Sequence, residues 1–132
     1  MNTLSGEIAQ LDHEGKLTIV QVNVNSLLFT SVIIDDGNMS DFLRVGNQVK
    51  VMFKESEVIV AVGKDIQISL RNQLPGTIQK IEYSNLLCKL TIDTAAGMVK
   101  SMITKNAVDS LGLQQGKEVI AMVKTNEILL SS

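Results

Sequence analysis

The chain has 132 residues, 45% of them apolar and 20% charged, with a net charge of -2 and a pI near 5.3. Such a composition supports a packed core and excludes a disordered chain. An acidic protein with three Phe, one Tyr and no Trp also has neither the basic face nor the aromatic platforms of a nucleic-acid binder.

Alternation of apolar residues at period two predicts strands at residues 6–11, 16–25, 27–34, 47–54 and 57–62, clearest in "LTIVQVNV" and "VKVMFK". A second set follows at 76–83, 86–93, 98–104, 117–124 and 127–131. Between its third and fourth strands, "TKNAVDSLGL" predicts a short helix with Thr104 as N-cap and Gly112 near its end. The counterpart "DDGNMSDFL" predicts a helical turn starting at Asp35 or Asp36. Gly46 and Gly116 mark turns into the fourth strands. No apolar run approaches the ~18 residues that cross a membrane. No basic stretch followed by an apolar one opens the chain, so neither a membrane partner nor a secretory signal is expected. The single cysteine, Cys88, can form no internal disulfide, which fits a reducing cytoplasm, and lying in an apolar strand it reads as buried and inert.

The two sets are one unit written twice. Sliding the sequence by 70 positions aligns it on itself without a gap, with 14 identities over 62 positions. Asn2 falls on Asn72, Leu4 on Leu74, Gly6 on Gly76, Ile8 on Ile78, Ser31 on Ser101, Gly46 on Gly116 and Lys54 on Lys124. Five short strands with a helical turn after the third predict an all-β fold of two tandem OB-like five-stranded barrels, residues 1–64 and 65–132. A unit of this size buries too little surface to be comfortable alone, so a homo-oligomer is expected.

The second copy, "ISLRNQLPGTIQKIE … LTIDTAAGMVKSMIT … LGLQQGKEVIAMVKTNEI", resembles the molbindin (Mop, or TOBE) domain. The first block of that signature is kept at Ser69, Arg71, Asn72, Gln73, Leu74 and Gly76, the second at Ser101, Ile103 and Thr104. The third is kept at Leu111, Gly112, Leu113, Gly116, Val119, Ala121 and Lys124. The likeness is strong over residues 66–130 and, through the repeat, weak over 2–62. It implies a di-domain binder of molybdate, or tungstate, that stores the oxyanion at subunit interfaces of a trimer of such chains. A tetrahedral dianion offers only acceptor oxygens, so hydroxyls, amides and an ammonium suffice to hold it, without a basic protein. The other implied role is a diverged module that senses the oxyanion and regulates a partner protein.

The resemblance implies ligands in Ser69, in the backbone around Leu70, Arg71 and Asn72, and in Lys124 and Thr125, with Thr104 reaching in from a neighbouring subunit. In the first copy it implies Lys54, Ser56 and Ser31. Three departures predict fewer or weaker sites: Ala107 and Asn126 stand where hydroxyls are usual, and Ile34 replaces a threonine. Ser84-Asn85-Leu86 likewise replaces the family's Gly-Ala-Val stretch, which bears on a site at the threefold axis. Taken without the resemblance, Ser69, Arg71 and Asn72 read as connector residues capping strand ends, and the two lysines as solvated. Residues serving as direct cation ligands are not expected, since His13 is the only histidine and lies in no ligand cluster. Nor is an enzyme: the sequence offers no nucleophile–base set and no paired carboxylates.

Overall fold

A computed structural model describes residues 1–34 and 41–132. Among the described residues, ten strands form two five-stranded antiparallel sheets. The first copy supplies β1 (Asn2–Glu14), β2 (Leu17–Val24), β3 (Leu27–Ile34), β4 (Gln48–Phe53) and β5 (Ile59–Ala61). The second supplies β6 (Asn72–Tyr83), β7 (Leu87–Thr94), β8 (Gly97–Thr104), β9 (Glu118–Val123) and β10 (Leu129–Ser131). A helix, α1 (Lys105–Leu111), follows β8. Thr104 caps it as expected, its Oγ1 accepting from the Ala107 N–H at 3.1 Å, and Gly112 ends it in the left-handed region. The helical start expected at Asp35 or Asp36 lies outside the described residues.

Strand order shows what the repeat alone does not. The sheets run β10-β4-β1-β2-β3 and β5-β9-β6-β7-β8, so each fifth strand joins the other copy's sheet. Ile59 to Ala61 pair with Met122 to Ile120, and Leu129 to Ser131 pair with Met52 to Lys50. A short 3-10 turn after each fourth strand, Glu55–Glu57 and Thr125–Glu127, carries the chain across instead of folding it back. The division at 64/65 therefore follows the sequence repeat but not the sheets. With the strands exchanged, residues of both copies form one continuous core, from Ile8, Val20 and Phe53 to Ile78, Leu90 and Val123.

Several identities between the copies acquire physical reasons. A side chain at Gly76 would place Cβ 2.6 Å from the Asp93 carbonyl oxygen, and one at Gly6 would place it 2.5 Å from that of Asn23. These glycines let β1 and β6 cross closely over β2 and β7. Matching irregularities follow at once, between Ile8 and Gln10 and between Ile78 and Lys80, and sharpen the bend. Both first strands also begin earlier than their alternation suggested, at Asn2 and Asn72 rather than at the glycines, because these ends pair with β4 and β9.

Ser31 and Ser101 sit on the last strand of each sheet, β3 and β8, and both are buried. Ser101 Oγ donates to the Val58 carbonyl at 2.8 Å, and Ser31 Oγ to that of Ile128 at 3.1 Å. Each serine thus ties the free edge of its sheet to the segment entering the exchanged strand. Ser101→Ala leaves a buried carbonyl without its partner and is expected to cost about 2 kcal/mol of stability, read as a lowered urea midpoint.

Candidate functional site at the seams between the copies

Two seams run where a 3-10 turn of one copy packs on the third strand of the other: the first turn on β8, the second on β3. In the second seam, the β6–β9 register sets Asn72 opposite Val123, so the chain enters β6 at Arg71 next to where it leaves β9 at Lys124. Two stretches far apart in sequence are thereby brought together. Lys124 and Ser69 are exposed and Thr125 is half-buried. No side chain caps the second turn, which leaves its leading N–H groups as further donors. The Arg71 guanidinium folds back onto the carbonyls of Ser69 and Ile68. Leu70 is half-buried, and its carbonyl accepts from Gln73 Nε2 at 2.9 Å.

The Asn72 side chain, as distinct from its backbone, has another task. The residue is 1% exposed, and its side chain bridges to β3: Oδ1 accepts from the Thr30 N–H at 2.7 Å, while Nδ2 donates to the Thr30 and Val123 carbonyls at 2.9 and 3.0 Å. Its repeat partner Asn2 does the same across the other seam, exchanging two 2.8 Å bonds with the backbone of Lys100. With both Nδ2 hydrogens engaged, the Asn72 amide has no donor left for an anion, and it fastens the copies together. Ser31, with its hydroxyl bound to Ile128, is likewise occupied. Sequence reasoning overlooked this fastening role. The signal was the Asn2/Asn72 identity at the head of two strands, a polar residue in an apolar alternation.

In the first seam, a cleft of about 320 Å³ is lined by Met1, Lys54, Glu55, Ser56 and Met102. Lys54 and Ser56 are brought together there, both exposed. Ile34, the expected missing threonine, is 79% exposed at the end of β3 and lines a different cleft with Asn126 and Ile128. Thr104 lines another cleft than Lys54, one of about 470 Å³ with Asn85, Leu86, Leu87, Lys105, Asn106 and Asp109. Asp109 bonds Lys105 Nζ at 3.0 Å, and that hydrogen bond, then the carboxylate's charge, raises the lysine above its usual 10.5. His13 bonds Thr18 Oγ1 at 2.9 Å, and Cys88 is buried and unpaired. Among the described residues, no group of three or more His, Cys, Asp or Glu could hold a metal ion. No helix there is long and apolar enough to cross a membrane.

Residues 68–130 match the TOBE domain family. A probable molybdenum-pterin-binding protein of Haemophilus influenzae is 35% identical over 66 residues, covering 49% of this chain and 96% of that protein. The chain belongs to the molbindin family. The likeness also extends over both copies of this molbindin. A crystal structure of the cytoplasmic molybdate-binding protein ModG, with molybdate bound, superposes with a TM-score of 0.91 at 25% identity, over 98% of this chain and 94% of that one. The molybdenum import ATP-binding protein ModC of Rhizobium etli is 26% identical over 123 residues, 92% of this chain but 32% of that protein.

Proposed function

We propose that this molbindin is a non-enzymatic cytoplasmic binder that stores and buffers molybdate, or tungstate, at interfaces between copies of the chain. The observation that supports the reading is the β6–β9 register: with Asn72 opposite Val123, the segment carrying Ser69 to Arg71 enters β6 where Lys124 and Thr125 leave β9, so that two hydroxyls, an ammonium and backbone amides would serve one anion. These are donors, and an acceptor-only dianion is what such a set fits. The likeness to ModG over nearly the whole chain supports the choice of oxyanion. Each sheet would close as an OB-like barrel at its serine bridge.

The placement of Thr104 supports sites shared between copies. Two strands lie between β8, which ends at Thr104, and β9, which leads to Lys124, so the two residues would serve one anion when they come from different chains. Beside Thr104, Leu86 is 80% exposed and Leu87 and Tyr83 are also exposed, an apolar surface whose burial a trimer would supply. Removing the exposed Lys124 should leave the fold intact and weaken the site. Lys124→Ala is expected to reduce molybdate affinity by about tenfold to a hundredfold, the loss of one charge-assisted hydrogen bond, in calorimetric titration. Unchanged affinity would remove Lys124 from the site, and absence of any molybdate binding by the wild-type chain would overturn the reading.

A further inference from the structure

We infer that the two seams are unequal, the first being closed to oxyanions by a carboxylate of the chain itself, Glu55. This deepens the proposed function and rests on it. Glu55 stands in the first seam where Thr125 stands in the second, at the head of the 3-10 turn directly after the lysine. Its side chain, 21% exposed, lines the cleft and reaches across to the other copy, where Oε1 lies 3.4 Å from Lys89 Nζ. Lys89 is the cross-strand neighbour of Met102, which lines the same cleft. Oε2 lies 3.9 Å from the Met1 amino group.

Among the described residues, the second seam has no such arrangement. The positions equivalent to Lys89 and Met102 are Ile19 and Val32, themselves cross-strand neighbours, and the position equivalent to Glu55 is an uncharged Thr125. A dianion entering the first seam would have to displace Glu55 from Lys89 and then sit against the carboxylate it displaced. Like charges at such distances repel strongly, more so in a partly buried cleft than in water. Glu57, in the first turn too, adds a second negative charge, whereas the second turn carries only Glu127. Carboxylate oxygens are acceptors, as are those of the oxyanion: Glu55 supplies the first seam with the partner its cations would otherwise seek. Lys54 and Ser56 thus form a donor pair with its ligand position already taken.

Glu55→Thr gives the first seam the residue of the second and frees Lys89. Titration of the full chain with sodium molybdate is expected to show twice the wild-type stoichiometry for this variant. Adding Lys54→Ala to Glu55→Thr is expected to return the stoichiometry to the wild-type value. Glu55→Gln, which keeps the side chain's shape and loses its charge, decides the matter should the threonine variant fold poorly, with thermal melting as the check on both. Unchanged stoichiometry in a folded Glu55 variant overturns the inference and leaves the proposed function standing. So does a Lys124→Ala protein that retains half of the wild-type sites. No molybdate bound by wild type or variants overturns both.

Discussion

Gly76→Ala is expected to destabilise the chain by about 3 kcal/mol, at the upper end for overpacking of one small group. The added carbon would lie 2.6 Å from the Asp93 carbonyl oxygen and 2.8 Å from Ile92 Cγ2. Its nearest neighbour is backbone held in the β6–β7 ladder, where Gly76 pairs with Thr94 and Thr77 with Asp93. It cannot swing aside as the end of a flexible side chain would. Replacing glycine by alanine where the backbone permits it stabilises by about 0.4–1 kcal/mol, because the unfolded chain has less freedom to lose. The sign of the measured change therefore tests the close approach directly. Urea denaturation of Gly76→Ala and Gly6→Ala should show both midpoints lowered, since the two positions share the same geometry. A neutral or raised midpoint would mean that β1 and β6 do not press on their neighbours as described.

Asn72→Ala is expected to cost a further comparable amount, about 3 kcal/mol, by a different route. Alanine leaves the Thr30 N–H, the Thr30 carbonyl and the Val123 carbonyl without the partners they have now. At about 1 kcal/mol for each orphaned group, the three together set the size of the effect. The variant N72D separates this account from simple loss of packing. It has nearly the shape of asparagine, yet it turns a carboxylate toward two carbonyl oxygens at a position that is 1% exposed. N72D should thus be less stable than N72A at neutral pH and should recover on acidification, when the protonated acid can donate once. The sign follows from burial, which raises the folded-state pKa of the introduced carboxyl. The stability it gains from protonation is present at low pH and lost as pH rises through that value. Equal midpoints for wild type and N72A would show that the fastening carries no weight.

The candidate site was partly legible in the sequence, and the part that was not is instructive. Lys124, Thr125 and Ser69 are named by a motif, and the register brings the start of β6 beside the end of β9, from which their segments extend. Asn72 and Ser31 belonged to the same motifs, but their side chains turn inward and spend their hydrogen bonds on the opposite copy. A motif records which residue stands at a position and not which way its side chain faces. Glu55 was passed over as the residue between Lys54 and Ser56, because its partner Lys89 lies on a strand of the other half.

By itself, the sequence determined that this protein is all-β, that it is one unit written twice, and where most strands and the helix lie. Those properties are local: period-two alternation, Thr104 before a helix, glycine at a turn, and a gapless match at one offset. Only the tertiary structure decided which sheet receives each fifth strand. A three-residue strand such as Ile59–Ala61 or Leu129–Ser131 offers the same backbone hydrogen bonds to either sheet, so its own residues name no partner. The choice is made by groups remote in the chain, the Asn2 and Asn72 fasteners and the Ser31 and Ser101 bridges, whose bonds form only once both copies are in place.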